Sequence, residues 1–184
     1  MSCGKTFLTE DILAMIGTEA EQIEVTLSGI EKEGLRRFNQ ALMDPDPRSW
    51  DEDFAKSTRY GEIVTPGIFV TYLSKTHPSA ADPVTRAFKN NPVSDGIGGM
   101  DRGRPGQLPP LPTELVRVLN AGNEIEVLRY PSLGDRVFSQ TKLANVIERT
   151  GRDGNHMLIV TNETTFTNQR GEVLCISRAS SIRR

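Results

Sequence analysis

The cysteines and histidines, the residue types most used for metal and redox sites, are few in this sequence and widely spaced. The two cysteines, Cys3 and Cys175, lie far apart and form no Cys-x-x-Cys pair, so neither a disulfide framework nor a cysteine zinc site is predicted. The two histidines, His77 and His156, are isolated as well, and a metal site would have to recruit carboxylates with no recognisable spacing. The sequence therefore predicts a metal-free domain, in which His156 is a surface residue beside a turn.

The composition is typical of a globular protein of one domain. The chain has 184 residues, of which 36% are hydrophobic and 25% charged, enough to bury a core. Its net charge of −2 removes the basic surface expected of a nucleic-acid-binding protein. No apolar run approaches the roughly 20 residues that cross a bilayer, and acidic side chains interrupt the N-terminal stretch, unlike a secretory signal. We expect a cytoplasmic protein with a single domain over residues 1–184.

Helices are predicted in the first half of the chain. They occupy residues 9–17, 31–43, 51–57 and 66–76. For the last of these, Thr65 is a favourable N-cap and Pro66 a favourable first residue, because proline lacks an N–H that would be unpaired there. Apolar side chains at 68, 69, 72 and 73 form a stripe, so this helix should be buried along one face.

The second half of the chain predicts an antiparallel sheet. Residues 78–112 are rich in glycine and proline and indicate a long irregular insertion, which we interpret as a connection because no Walker lysine accompanies the glycines. A brief strand is predicted at 24–27. Four longer strands rich in Val, Ile, Thr and Phe are predicted at 123–130, 135–150, 156–168 and 172–182, and the short Gly- and Asn-containing turns between them favour a meander. The fold class is therefore α+β, with a buried helix across an antiparallel sheet.

Six segments carry a family resemblance through their shared order. They read FNQALMDPDP (38–47), DEDFA (51–55), RYGEIVTPG (59–67), GNEIE (122–126), PSLGDR (131–136) and TTFTNQRGE (164–172). Together they resemble the MaoC-like dehydratase family, which includes the (R)-specific enoyl-CoA hydratases, and in particular its N-terminal domain type. The resemblance implies a hotdog fold, in which an antiparallel sheet wraps around a central long helix. It also implies an enzyme that adds or removes water at the double bond of an enoyl thioester, with coenzyme A thioester as substrate and no further cofactor.

The family's catalytic motif is incomplete in this chain. The motif Asp-x-Asn-Pro-x-His, which supplies the acid–base pair, aligns with residues 44–49, and the histidine position holds Ser49. A serine hydroxyl is no base near neutral pH without an activating neighbour. The family's Ala-His-Gly at the hotdog helix reads Thr65-Pro66-Gly67, which leaves the Gly67 N–H as a possible oxyanion donor. The resemblance thus implies no catalytic residue here, and a vestigial motif at Asp44 and Ser49.

The candidate substrate-binding residues each have a structural alternative. Pro66 and Gly67 are at the start of the predicted hotdog helix. The glycine there is expected either to contact the substrate or to permit close packing of the helix. Trp50 is a wall of the acyl pocket or packs beneath the loop. Arg102 and Arg104, in the glycine-rich insertion, meet coenzyme A phosphates or are solvated. Asp44 itself retains a catalytic use or is only a turn residue.

The missing histidine leads to a functional hypothesis. The chain is predicted to be the non-catalytic half of a heteromeric enoyl-CoA hydratase or 3-hydroxyacyl thioester dehydratase, shaping the pocket for an acyl chain bulkier than crotonyl. A partner hotdog chain would carry the Asp/His pair, and an exposed edge strand would favour self-association without it. One alternative is a hotdog acyl-CoA thioesterase, although residues 66–76 lack the acid that such an enzyme needs on its central helix. The other is a non-enzymatic acyl-thioester binding module.

Overall fold

The computed structural model describes residues 6–73, 82–93, 105–152 and 154–184, and within them five α-helices and five strands are formed. The helices are α1 (Glu10–Met15), α2 (Lys32–Leu42), α3 (Glu52–Ser57), α4 (Phe69–Tyr72) and α5 (Pro83–Asn90). The strands are β1 (Ile23–Glu24), β2 (Val118–Val127), β3 (Val137–Thr150), β4 (His156–Asn168) and β5 (Val173–Arg183). A single 3-10 turn, Pro47–Ser49, precedes α3.

All five strands are antiparallel and form one sheet in the order β1-β3-β4-β5-β2. Strands β3, β4 and β5 form the predicted meander, but β2 pairs with β5 instead of β3, so a meander through all four long strands is wrong. The segment after β2 does not form a hairpin with β3; its residues pair instead with the segment before α4. The Thr65 N–H donates to the Pro131 carbonyl at 2.8 Å, and Val64 forms an isolated bridge with Ser132.

The first three predicted helices are formed, and two of them, α1 and α3, start at side-chain caps. The Thr9 hydroxyl accepts a hydrogen bond from the Ile12 N–H and starts α1. The Asp51 carboxylate accepts from the N–H groups of Asp53 and Phe54 and starts α3. Each cap satisfies backbone donors that the first turn of a helix leaves free. Because the capping residue lies next to the helix in the sequence, the start of the helix could be predicted from it.

The structure describes residues 66–73 of the helix predicted at 66–76, and there only one helical turn, α4, is formed; residues 74–76 lie outside the described residues. Thr65 does not cap it, since its buried hydroxyl makes no hydrogen bond and α4 follows Ile68 instead. The segment turns at Pro66, whose carbonyl accepts from the Phe69 N–H at 2.9 Å. The helix ends at Tyr72 because Leu73 adopts ψ 137°, outside the helical region.

The insertion predicted as irregular at 78–112 contains a helix, α5. The Asp82 carboxylate accepts from the Val84 and Thr85 N–H groups, and Pro83 follows in the first turn. This Asp-Pro start is a recognised helix signal that the high glycine and proline content of the surrounding segment outweighed. Arg102 and Arg104 lie outside the described residues.

Two apolar clusters lie on the same face of the sheet, since Leu158, Val160 and Phe166 are spaced by even numbers along β4. The helix α4 contributes to the cluster around Phe166, and α1 covers the cluster around Leu158. The members of the first are Val25, Ile30, Leu35, Ala55, Ile63, Phe69, Val70, Val137, Phe166, Leu174 and Cys175. The members of the second are Ile12, Leu143, Val146, Leu158 and Val160. A helix packed on an antiparallel sheet confirms the predicted fold class.

None of the helices within the described ranges is long and apolar enough to cross a membrane.

Candidate functional site

The motif loop, residues 44–50, begins where α2 ends in a left-handed turn. Met43 has φ 53°, and its N–H donates to the Gln40 carbonyl while the Asp44 N–H donates to the Asn39 carbonyl. This pair of bonds is a Schellman motif, in which glycine is the usual residue at the left-handed position. The Asp44 carboxylate then accepts from the Asp46 N–H at 3.1 Å and closes the next turn. Asp44 therefore has a structural role at the start of the loop.

Ser49, at the position of the family's histidine, is buried and fully engaged. The residue is only 5% exposed. The hydroxyl donates to the Asp46 carbonyl at 3.0 Å and accepts from the Asn39 Nδ2 at 2.9 Å. Neither partner is a base, so nothing in these contacts activates the hydroxyl.

The remaining acid of the loop is held ionised. The Arg48 Nε donates to both carboxylate oxygens of Asp46, at 3.1 and 2.8 Å, and lowers the pKa of that carboxyl. A general base or acid works best with a pKa near the working pH. Asp46 is thus poorly suited to proton transfer, and its ion pair fixes the loop and orients the Arg48 guanidinium over the Tyr130 ring, 5.6 Å from the ring centroid.

Gly67 lies close to the motif loop, because the Val64 N–H three residues earlier donates to the Arg48 carbonyl at 3.3 Å. Gly67 is buried against the end of β2. A Cβ built on it would lie 2.4 Å from the Val127 Cγ2 and 2.7 Å from its Cγ1. A larger residue here would force Val127 to shift, so glycine allows this close approach between the start of α4 and β2 without strain.

A groove of about 580 Å³ opens beside Val127 and the motif loop. Its lining is mainly polar and comes from the 59–64 segment, from the end of β2 and from the residues that follow β2. The lining residues are Arg59, Tyr60, Glu62, Val64, Val127, Leu128, Arg129, Tyr130 and Ser132. None of these residues was predicted from the sequence as a site residue. The signal that could have found them is the dipeptide Arg-Tyr, which occurs at 59–60 and again at 129–130.

The other candidate residues differ in their surroundings. Trp50 is 52% exposed at the end of the motif loop. Pro66 is partly buried and its carbonyl closes the turn into α4. The structure thus brings the motif loop, Gly67 and the groove together, while Arg102 and Arg104 belong to the segment outside the described ranges.

His156 lies beside the β3–β4 turn as predicted, but it is not a free surface residue. Its Nδ1 lies 2.7 Å from the Glu148 Oε1, and its side chain is two-thirds buried. Glu148 also accepts from the Thr6 hydroxyl and from the N–H groups of Phe7 and Leu8. These hydrogen bonds, led by that of Thr6, lower the pKa of Glu148 to about 2. We call this arrangement at the β3–β4 turn the hairpin corner.

Among the described residues, no group of three or more His, Cys, Asp or Glu side chains is placed to hold a metal ion. The buried Cys175 is not a reactive thiol, because burial raises its pKa to about 11.

Comparisons with known proteins place this geometry in a family. Residues 14–177 match the family model described as FAS1-like, dehydratase domain region. No curated protein is significantly similar to the chain in sequence.

Solved structures similar to the chain include two complexes from Mycobacterium tuberculosis and one bacterial hydratase. The ChsH1-ChsH2 complex gives a TM-score of 0.68 at 12% identity, covering 95% of this chain and 89% of that chain. The HadBC (3R-hydroxyacyl-ACP dehydratase) complex gives 0.56 at 17% identity, covering 91% and 96%. The R-hydratase PhaJ1 from Pseudomonas aeruginosa gives 0.54 at 16% identity, covering 91% and 81%. At these identities the likeness shows the fold. The chain has the predicted hotdog fold of the MaoC-like hydratases and dehydratases, and by the match over residues 14–177 it belongs to the FAS1-like dehydratase domain region family.

Proposed function

We propose that this chain is the non-catalytic half of a heteromeric enoyl thioester hydratase or dehydratase, which shapes the acyl pocket while a second hotdog chain carries the Asp/His pair. The family supplies the hydro-lyase reaction class. The observation that carries the proposal is Ser49, buried and doubly hydrogen-bonded at the position where the reaction needs a base.

The chemistry of hydration explains why the residue at position 49 decides whether this chain can be catalytic. Adding water to an enoyl thioester needs a base for the water, an acid for the α-carbon and an N–H donor for the thioester oxygen. Asp44 accepts from a backbone N–H in its turn, and Asp46 is held ionised by Arg48. Neither of them has a histidine partner in the loop, so we expect no turnover by the chain alone.

Two observations support a partner of the same fold. β2 is an edge strand of the sheet, and its end carries the exposed apolar side chains Val127 and Leu128. An unpaired apolar edge favours association with another sheet. The ChsH1-ChsH2 and HadBC structures, which this chain resembles in fold, are complexes of two proteins.

The test is hydration of an enoyl-CoA by the purified chain, alone and mixed with a small hotdog protein that has a complete Asp-x-Asn-Pro-x-His motif. We expect loss of the enoyl absorbance only in the mixture, and a stable complex on gel filtration. The partner alone and a partner lacking its motif histidine are the controls.

A matched variant of this chain sharpens the test. Asp44→Asn should leave the activity of the mixture within about twofold, because Asp44 would take no part in the chemistry. Turnover by the chain alone would contradict the proposal, and so would a large loss in the mixture containing Asp44→Asn. A chain that binds acyl-CoA but never supports turnover with any partner would instead be a binding module.

A further inference from the structure

We propose that the outer face of the sheet, which is turned away from the two apolar clusters, is an interface for a second copy of this chain. The two copies would be related by a two-fold axis that runs parallel to the strands, between β4 and β5. This face is separate from the motif loop and from the edge of β2 that the proposed hotdog partner would occupy. The inference therefore goes beyond the proposed function and does not depend on it.

The outer face is identified by the alternation of side chains along β4. Leu158, Val160 and Phe166 are buried in the two clusters, so the odd-numbered residues of β4 point to the opposite side of the sheet. Ile159 and Glu163 are on that side. The residues directly opposite them in the neighbouring strands lie on the same side, because paired residues of antiparallel strands share a face.

An apolar row crosses the outer face. Its members are Ile147 on β3, Ile159 on β4, Ile182 on β5 and Leu119 on β2, each in register with the next. None of the four belongs to either apolar cluster of the described residues. Each is at least partly exposed, and Leu119 is 39% exposed. Contiguous apolar side chains that remain accessible to solvent are characteristic of protein–protein interaction sites.

A row of alternating charges runs parallel to the apolar row, about 13 Å away along β4 at the usual rise of a strand. Its members are Lys142 on β3, Glu163 on β4, Arg178 on β5 and Glu124 on β2, again each in register with the next. The Lys142 Nζ lies 2.7 Å from one Glu163 oxygen, and the Arg178 Nε donates to the other at 2.7 Å. The Arg178 Nη1 donates to Glu124 at 3.0 Å. The chain's own contacts therefore fix these charges in place, which lowers the entropic cost of association.

The proposed two-fold axis makes both rows complementary to themselves. It lays β3 of one copy over β2 of the other and β4 over β5, because these strands lie at equal distances on either side of the axis. Lys142 then faces the second copy's Glu124. Glu163 likewise faces the second copy's Arg178, and the side chains of the apolar row face one another. Every charge of the row thus meets an opposite charge.

A two-fold axis across the strands gives no such match. Each strand would then face the same strand of the second copy. The charge row would meet either itself, with like charges opposed, or a row that lacks complementary charges. The charge pattern therefore selects the axis along the strands, in which the same surface is used by both copies, as in most dimers. Packing of two sheets with their strands nearly aligned is also a common arrangement.

The outer face is large enough for such an interface. Four strands about 4.8 Å apart, counted over the ten residues of β2, present roughly 600 Å². Two copies would bury about 1,200 Å², which is at the lower limit for specific stable interfaces. We therefore expect a reversible dimer.

The test is sedimentation equilibrium of the purified full chain, which should give a reversible monomer–dimer equilibrium. Lys142→Glu should raise the dissociation constant by about tenfold or more, because each dimer would then contain two facing pairs of like charge. Glu124→Lys should do the same for the same reason. Both side chains are well exposed in the single chain, at 44% and 70%, so the fold should tolerate either change.

An equimolar mixture of the two variants provides the decisive measurement. In a mixed dimer of Lys142→Glu with Glu124→Lys, every facing pair is again oppositely charged, so association should return to within about threefold of the unchanged chain. A variant that had merely lost its fold could not be rescued in this way. Failure of the mixture to associate would overturn the arrangement.

The apolar row is tested by Ile159→Thr, which keeps a β-branched side chain in the strand but removes apolar contact area. It should weaken the dimer by about fivefold or more, and an unchanged dissociation constant would overturn the proposed axis. The matched charge control is Lys56→Glu on α3, whose neighbour Ala55 belongs to the cluster around Phe166 on the other face. It should dimerise within about twofold of the unchanged chain. Thermal unfolding of each variant checks that the fold is kept.

Other occupants of the outer face give different results. A chain that stays monomeric, together with a hotdog partner complex that Lys142→Glu weakens, would assign the face to that partner and overturn the second copy. Self-association unaffected by Lys142→Glu would place the contact elsewhere, as at the β2 edge, and would also overturn the proposal. A chain that dimerises as described but supports no hydration with any partner retains this interface and contradicts only the proposed function.

Discussion

The motif loop and the hairpin corner each hold carboxylates in a network of donors, but they differ in what the fold has placed beside them. At the hairpin corner His156, the one described histidine, contacts Glu148. The Glu148 carboxylate also accepts hydrogen bonds that hold residues 6–8 against the sheet. The motif loop was predicted to align with the family's catalytic motif, and there Ser49 and Asp44 accept hydrogen bonds that hold the loop together. A carboxylate–histidine contact is thus not sufficient to mark a reaction site, since the one at the hairpin corner fastens residues 6–8 to the sheet.

Replacing Ser49 by histidine tests whether the motif loop can simply be repaired. We expect Ser49→His to destabilise the protein by about 3 kcal/mol, because an imidazole would be forced into a buried site already filled by Asn39 and the Asp46 carbonyl. Urea unfolding measures the loss, and an enoyl-CoA assay of the variant alone should show no turnover.

The control is Ser57→His at the exposed end of α3, which should stay within about 0.5 kcal/mol of the unchanged chain. A stable, hydrating Ser49→His protein would show that the missing histidine alone separates this loop from an active site.

Gly67 tests how tightly the region beside the motif loop is packed. We expect Gly67→Ala to cost about 2 kcal/mol of unfolding free energy, since the new methyl would overlap Val127. The double variant Gly67→Ala with Val127→Ala should recover most of that loss relative to Val127→Ala alone. Denaturant unfolding of the four proteins in the cycle gives the coupling.

Gly34 provides the contrasting glycine, because a Cβ there meets nothing within 4 Å. Gly34→Ala in α2 should stabilise the protein by about 0.5–1 kcal/mol, as expected for glycine inside a helix. An unchanged stability for Gly67→Ala would mean that Val127 moves aside and that the glycine is there for another reason.

Glu148 tests the hairpin corner. Glu148→Gln should lower stability at neutral pH by about 1 kcal/mol, because the ionised carboxylate accepts several hydrogen bonds but is partly screened by solvent. The pKa of Glu148 is about 2 in the folded chain against 4.5 ordinarily, so its contribution is complete above pH 4.5 and is lost as the pH falls towards 2.

The stability difference between the unchanged chain and Glu148→Gln should therefore shrink on acidification over that interval. The exposed Glu21→Gln is the control for removing one acidic side chain from the surface. A difference that stays constant from neutral to acid pH would show that Glu148 does not fasten the N-terminal segment through its charge.

Met43 is expected to give a small, stabilising effect, like Gly34→Ala. Met43→Gly should stabilise the protein by about 0.5–1 kcal/mol, because glycine adopts the left-handed conformation at the end of α2 without strain. The side chain is 86% exposed, so little packing is lost. Met43→Ala, which keeps the strain, should give no gain in the same unfolding measurement, and a gain with alanine would locate the effect in the side chain.

Local signals in the sequence predicted much of the fold. Thr9 and Asp51 start helices through bonds within three residues, and the long strands repeat β-branched side chains. The pairing of β2 with β5 could not be predicted from the sequence. It occurs together with a hydrogen bond between Thr65 and Pro131, two residues that are distant in the sequence. No local pattern records such a contact.

The site was predictable in part for the same reason. The lost histidine at Ser49 was visible as a departure from a motif, and the structure adds the contacts that hold it. The groove could not be predicted, because only the tertiary structure brings Arg59 and Arg129 into one lining and each of them alone is an ordinary surface residue. The hairpin corner was missed because Glu148 and His156 belong to two strands whose register sets their contact.

The position of β5 between β4 and β2 has a consequence for how the protein is made. During synthesis β2 leaves the ribosome before β3, β4 and β5, yet the strand with which it pairs is the last of these. Until then its backbone groups and the apolar residues at its end have no permanent neighbour, and contacts distant in sequence form slowly. We expect nascent chains stalled before residue 173 to need a chaperone, and to become protease-resistant only once β5 has emerged.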